Sequence, residues 1–237
     1  LFRAEGRRIA YAGNIGGVIP LDKEVEKLVK SGAYAFENLG CEVKDACFDA
    51  SDIQDIITGT RGFGMVARYA ERYDKYQHLM TPQLINQVSA ALDLSVRDVV
   101  RSERLRTAYW HKIRKFMTNF DYIIAPVVGA PPFRLDEPLP TQVGGVPVDR
   151  FQDVFLSTYV FSVTGLPMIS VPCGLTEDGR PVGMQIISRR HREDQAIEAA
   201  SAYERLLPDL FVRPEMDLMA LKPVSDALHT PGVTIKK

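Results

Sequence analysis

RIAYAGNIGGVIPLDKEVEKLVKSGAYAFENLGCEVKDACF, from Arg8 to Phe48, is the stretch on which the fold class turns. Its first residues, Arg8 to Gly13, form a short apolar run ended by glycine, which predicts a buried strand. A loop with Gly16, Gly17 and Pro20 follows. Asp22 then opens a predicted helix in which Val25, Leu28, Val29, Phe36 and Leu39 share one face, and Gly40 closes it. From Cys41 to Phe48 apolar and polar residues alternate, which predicts a second strand. Strand, helix and strand over so short a span make a βαβ-type unit, and such a crossover joins parallel strands.

The same reading extends toward the C-terminus. Residues Ser51 to Asn119 are mainly helical, with Ser95 and Asp98 spaced as a capping box ahead of a long helix through Tyr109 and Phe116. DYIIAP, Asp121 to Pro126, predicts a further buried strand. The proline-rich stretch from Pro126 to Pro147 is expected to be loop, without helix or ladder, on a surface or across a pocket mouth. PMISVPCG and PVGMQIIS predict two more strands, joined by a turn at Glu177-Asp178-Gly179. A helix is expected from Glu193 to Leu207, and the tail beyond it has little periodicity. Helices before, between and after buried strands predict an α/β layered fold, a mixed and mostly parallel sheet flanked by helices. Neither repeats nor low-complexity segments occur, and no composition shift marks a boundary, so residues 1–237 are expected to form a single domain.

Composition narrows the function classes. Apolar residues make up 46% of the 237 and charged residues 25%, which suits a globular chain and argues against disorder. A net charge of −1 gives no general electrostatic reason to bind nucleic acid or an anionic membrane. Cys41, Cys47 and Cys173 are odd in number and form no CxxC pair, so neither a disulfide framework nor a thiolate zinc site is expected, and a reducing cytoplasm is. No apolar run is long enough to span a bilayer. The chain opens Leu-Phe-Arg-Ala-Glu-Gly-Arg-Arg without an initiator methionine or a secretory pattern, which fits a truncated or processed N-terminus.

Chemistry-bearing motifs are sparse. No G-x-S-x-G elbow occurs. Ser170 and Cys173, at the end of the MISVPCG strand, are displayed where a reactive group could sit, yet neither has a base nearby in sequence, and a packed strand end is the simpler account. His78, His111, His191 and His229 are scattered and lack metal-ligand spacing, so no metal is expected. Arg97, Arg101, Arg104, Arg106, Lys112, Arg114 and Lys115 make the long helix basic, but Asp98 and Glu103 interrupt the run, which suits a solvated face better than a nucleic-acid surface. Gly13, Gly16 and Gly17 follow a strand and precede a helix without the G-x-G-x-x-G spacing, so no dinucleotide or other cofactor is expected.

One long stretch carries a resemblance. TGLPMISVPCGLTEDGRPVGMQII, Thr164 to Ile187, resembles the C-terminal motif of the amidase signature family, with its G-x-P, SVPCG, glycine turn and PVGLQII. Upstream, FDYIIAPVVGAPPF resembles the family's strand and proline-rich loop. The helix with Arg104 and Tyr109 and the opening RIAYAGNIGGVIPLDKEVEK also match the second half of these enzymes, so the resemblance runs from about Arg8 to Leu207. It implies hydrolysis of amide bonds through a serine nucleophile, a second serine in a cis peptide and a lysine base. Those residues belong to a GGSSGGS signature and to a lysine upstream of it, and neither is in this sequence. No catalytic residue is therefore carried over, and the chain resembles a C-terminal half whose nucleophile lies in an N-terminal half.

What the resemblance does carry over is a pocket wall. The family segment before the G-x-P motif faces the acyl site; here it is FQDVFLSTYVFSVTG, which nominates Phe151, Phe155, Thr158 and Tyr159. The loop after Pro126, with Val127 and Val128, is the second candidate wall. In amidotransferase A subunits an aspartate in the first segment holds the substrate's amino group, and that position falls near Phe155 here. Their carboxylate-holding arginine falls in LINQVSAALD, which contains none. The resemblance therefore implies a small neutral amide substrate with an apolar or aromatic acyl group. Two other readings stand beside an amidase: a non-catalytic binding or assembly module, and a glutamyl-tRNA amidotransferase A-subunit-like protein. The expected partner is the N-terminal half of the amidase, or a second copy associating through an exposed sheet edge, which also predicts poor monomeric behaviour.

Overall fold

The computed structural model describes residues 5–134 and 139–212. A five-stranded sheet in the order β2-β1-β3-β7-β6 forms its centre. The strands are β1 (Arg8–Tyr11), β2 (Glu42–Asp45), β3 (Tyr122–Pro126), β6 (Met168–Leu175) and β7 (Pro181–Ser188). Strands β2 and β3 both pair parallel to β1, as the βαβ reading predicts. Strand β7 pairs antiparallel to both β3 and β6. Four strands thus share one direction and β7 alone opposes them, so two pairings are parallel, two are antiparallel, and the sheet is mixed.

The crossover between β1 and β2 is α1 (Lys23–Tyr34). Asp22 caps it, its Oδ1 accepting from the amides of Glu24 at 2.8 Å and Val25 at 3.4 Å. Its last turn tightens into a 3-10 segment, Ala35–Leu39, which Gly40 ends with φ 82°, the left-handed stop expected there. The long helical stretch resolves into α2 (Ile53–Tyr76), α3 (Pro82–Leu92) and α4 (Val96–Phe116). At the start of α4, Ser95 and Asp98 form the reciprocal capping box read from the sequence. Two short helices, α5 (Phe151–Val154) and α6 (Leu156–Ser162), precede β6, and α7 (Glu193–Leu206) follows β7.

Alternation along the strands builds two cores. On one face Ile9, Tyr122, Ile124, Val171, Met184 and Ile186 meet Val25, Val29 and Phe36 of the first helical segment and Ala199 and Tyr203 of α7. On the other face Ala10, Ile123, Ala125 and Ile187 meet Ile53 and Ile56 of α2, Tyr109 and Ile113 of α4, and Val160 and Phe161 of α6. Strand β3 lies between neighbours and under helices on both faces, so all five of its residues are buried. That explains its continuous apolar run, in which each fully buried isoleucine contributes roughly 1.5–3 kcal/mol.

The expectation of an unstructured loop between Pro126 and Pro147 needs correction. Within it β4 (Gln142–Val143) and β5 (Val146–Pro147) form a miniature antiparallel hairpin. Its two-residue turn is Gly144-Gly145, with φ 57° and 81°, the pair of positive values that a type I′ turn requires. The prolines permit it because the ladder is short and Pro147 ends it. The tail that follows Val212, with His229, lies outside the described residues.

Candidate functional site

At the C-terminal end of β3 the chain leaves the sheet and folds back over β6 and β7. A groove of about 310 Å³ opens there. Its walls are Val127, Val128 and Pro131 to Phe133 from the loop, Val154 and Phe155 from the junction of α5 and α6, and Ser170 with Pro181 to Gly183 from the sheet. Three of the residues nominated from sequence, Val127, Val128 and Phe155, therefore converge on one concave and mainly apolar surface.

The groove's shape is set by buried hydrogen bonds. Gln185, in the middle of β7 and only 3% exposed, donates through Nε2 to Pro126 O at 2.8 Å and Ser157 O at 3.2 Å. Ser157 Oγ in turn donates to Val127 O at 2.6 Å. These bonds tie the exit of β3 to α6 through buried polar partners. On the outer side Arg180 Nη1 donates to Pro132 O at 2.9 Å while its Nε bonds Asp178 at 2.8 Å, holding the proline wall in place. Sequence reasoning missed Gln185 and Ser157. The available signal was a lone amide inside an otherwise apolar strand, which must find partners where it is buried.

Of the remaining nominated residues, Thr158 and Tyr159 lie elsewhere. Thr158 donates through Oγ1 to Phe155 O at 2.6 Å, which braces the turn that carries Phe155. Tyr159 belongs to a separate hollow with Thr60, Arg61 and Arg68, where the Arg61 guanidinium stands 5.7 Å from its ring centroid. Phe151 opens α5. Under α5, Asp153 Oδ1 accepts from Gln54 Nε2 at 2.9 Å and from Arg150 Nη2 at 3.0 Å. Partial burial pushes the Asp153 carboxyl up, but the bonds from Arg150 and Gln54 outweigh it and the net shift is downward. The carboxylate therefore stays charged and ties α5 to α2.

Strand alternation separates the two residues weighed as nucleophiles. Ser170 is exposed on the groove side of β6, and its hydroxyl makes no hydrogen bond among the described residues. Cys173 is buried against the opposite core, its Sγ donating to Val182 O at 3.4 Å, and burial pushes its thiol up to about 12. Burial likewise pushes Cys41 up to about 11, while Cys47 is exposed. At pH 8 only Cys47 is expected to react with a disulfide reagent in the native state, because thiolate is the attacking form. Reaction of all three thiols without prior unfolding would contradict this burial. Both buried thiols are raised in the fold, so their contribution to stability is complete below the unfolded value of about 8.5. It is lost as pH rises toward 11 and 12, and melting curves should show alkaline weakening above about pH 9.

Several cations of α4 are paired. Arg101 meets Asp55 at 2.7 Å, Arg106 meets Glu103 at 2.6 Å, and Lys112 bridges Asp49 and Asp52 at 2.6 and 2.7 Å. The bond from Lys112, with those from Ser51, holds the Asp49 carboxyl far below the ordinary carboxylate range. His111 packs edge-on against Trp110, and His191 sits in a turn with φ 61°. Among the described residues no three His, Cys, Asp or Glu side chains gather as a metal site, and no helix is long and apolar enough to cross a membrane.

Comparison with known proteins gives consistent relatives. The family model described as Amidase matches residues 3–197. An acylamidase from Rhodococcus erythropolis is 27% identical over 206 residues, which are 86% of this chain and 43% of that protein. The A subunit of a glutamyl-tRNA(Gln) amidotransferase from Thermodesulfovibrio yellowstonii is 25% identical over 214 residues, 79% of this chain and 43% of its own length. Among solved structures, a bacterial aryl acylamidase of the amidase signature family superposes with a TM-score of 0.74 at 27% identity, covering 90% of this chain and 47% of its own. The chain thus spans less than half the length of each of these relatives.

Proposed function

This chain belongs to the amidase family, and on that premise we propose that it supplies acyl-pocket walls to an enzyme hydrolysing carbon–nitrogen amide bonds. The serine–serine–lysine set, absent from these 237 residues, comes from outside them, on the same polypeptide or a companion one. Serine attack on the amide carbonyl gives an acyl-enzyme and releases the amine, the lysine passing the proton from serine toward the leaving nitrogen. Water then returns the acid and frees the serine. Residues 1–237 act as one incomplete domain. The side of β6 that no strand covers among the described residues is where a companion segment or a second copy joins the sheet.

The observation that carries this reading is the convergence of Val127, Val128 and Phe155 on one apolar groove. Phe151, Thr158 and Tyr159 neighbour Phe155 along the chain, with Thr158 bracing it. The substrate is a small neutral amide with an apolar or aromatic acyl group. A substrate ammonium would lose water beside Phe155 without gaining a counter-charge, and that is costly. The names of the acylamidase and aryl acylamidase relatives agree with such a substrate. Relatives named as amidotransferase A subunits favour a second reading, action on a charged amino-acid amide. Three cysteines without a disulfide among the described residues suit a cytoplasmic protein.

Kinetics on the enzyme containing this chain and the serine–lysine region separate the two. With a neutral acyl anilide as substrate, Phe155→Asp is expected to lower kcat/KM at least about tenfold. Unchanged anilide hydrolysis in that variant overturns the pocket assignment. A glutaminase activity above the anilide activity in the unmodified enzyme favours the second reading instead. No hydrolysis of either substrate points to the non-catalytic binding or assembly role.

A further inference from the structure

Arg61 carries a charge that has no counter-ion among the described residues. It lies on α2 and lines both the hollow beside Tyr159 and a larger cavity of about 490 Å³ between α2, α3 and the approach to α5. Its Nη2 donates to Gln87 Oε1. Gln87 is itself held, its Nε2 donating to Gln83 O at 3.2 Å. The Nε–H of Arg61 is buried and makes no hydrogen bond among the described residues. Asp55, six residues earlier on α2, pairs with Arg101, and Asp153 of α5 pairs with Arg150. Asp149, at the cavity rim, is exposed and forms no ion pair with Arg61.

A half-buried guanidinium with one stacked face and one fixed amine has lost much of its hydration without an ionic partner. That arrangement is unfavourable in the empty protein and becomes favourable when an oxyanion enters. Arginine's planar fork matches the two oxygens of a carboxylate. In the rest of the lining Met65, Leu94 and Val154 offer an apolar surface, Thr58 and Asn86 are neutral polar groups, and the two other charges are the exposed Asp149 and Arg150, which pairs with Asp153. The volume is ordinary for a small-molecule site.

We propose that this cavity binds a small organic carboxylate, an apolar body of benzoate size whose anionic end is held by Arg61. The site is separate from the groove, sharing only Val154 with it. It needs no serine chemistry, so its fate is independent of the amidase reading.

The test is calorimetric titration of the 237-residue chain with benzoate and with benzyl alcohol, a neutral non-amide of similar shape, at fixed ionic strength. Benzoate is expected to bind at least about tenfold more tightly. Arg61→Met should erase that preference, whereas Phe155→Ala, in the groove, should leave it intact. Melting curves without ligand verify that each variant folds. Should Arg61→Met fail to fold, Arg61→Lys keeps the charge and stem and is expected to weaken benzoate about threefold or more by losing the fork. Equal affinities, no saturable benzoate binding, or an undiminished preference in the Arg61 variant that folds would each overturn the assignment.

Discussion

Gln185→Leu is expected to lower the unfolding free energy by about 2–4 kcal/mol, the largest single-residue effect at the groove. The substitution nearly conserves volume, so cavity formation contributes little. Its cost comes from two carbonyls, Pro126 O and Ser157 O, that each lose the bond from the buried Gln185 amide. Each such group costs about 1–3 kcal/mol, and the two share a neighbourhood, so the sum falls below simple addition. For a chain of this size the melting temperature should drop by roughly 4–16 °C. The loss should also free Val127 and Val128, because the exit of β3 is no longer held against α6. A melting temperature within about a degree of the unmodified protein would show that the network does not set the groove.

Gly144→Ala is the second large effect, at about 2–5 kcal/mol. Gly144 has φ 57°, and a Cβ there would stand 2.1 Å from Leu21 O and 2.7 Å from its carbonyl carbon. Gly129 makes the equivalent approach one residue earlier, a Cβ there standing 2.1 Å from Pro20 O. The segment leading into α1 therefore passes through a slot between the loop after β3 and the small hairpin, where Asp22 N also donates to Gly129 O at 2.8 Å. Alanine at 144 carries a left-handed cost of about 1–2 kcal/mol. Overpacking against backbone, which cannot rotate away as a side chain can, adds about 1–3 kcal/mol. Gly145→Ala is the control, since Gly145 has positive φ but nothing within 4 Å of the place its Cβ would take. It should cost only the conformational part. Equal losses at 144 and 145 would argue that conformation alone, and not the slot, is at stake.

Much of this architecture was legible in the sequence, for physical reasons that differ by element. Strands β3 and β7 were readable because burial on both faces leaves a mainly apolar run between turn residues, and β6, at the sheet edge, from its apolar residues just ahead of the Glu177-Asp178-Gly179 turn. The caps of α1 and α4 were readable because Asp22 and Ser95 satisfy amides that nothing else can reach. The hairpin at 142–147 was not, since prolines dominated the local composition and obscured the Gly-Gly pair between Val143 and Val146. Groove membership was readable only in part. Phe155 and Tyr159 are four residues apart, which would place them on one helix face. Phe155, however, has φ −106° and ψ 19° and is the joint between α5 and α6, so helical spacing does not extend across it. Arg61 and Gln87 meet only through the packing of α2 on α3, which no local pattern announces.

The central claim, that this chain furnishes pocket walls while the nucleophile lies outside it, is tested most directly by labelling with a fluorophosphonate serine probe. The 237-residue chain alone is expected to take up no probe. Combined with the polypeptide that bears the serine–lysine region, labelling should appear, and mass spectrometry should place the adduct on a serine outside these residues. An adduct on Ser170, or on any other serine of this chain, would contradict the account.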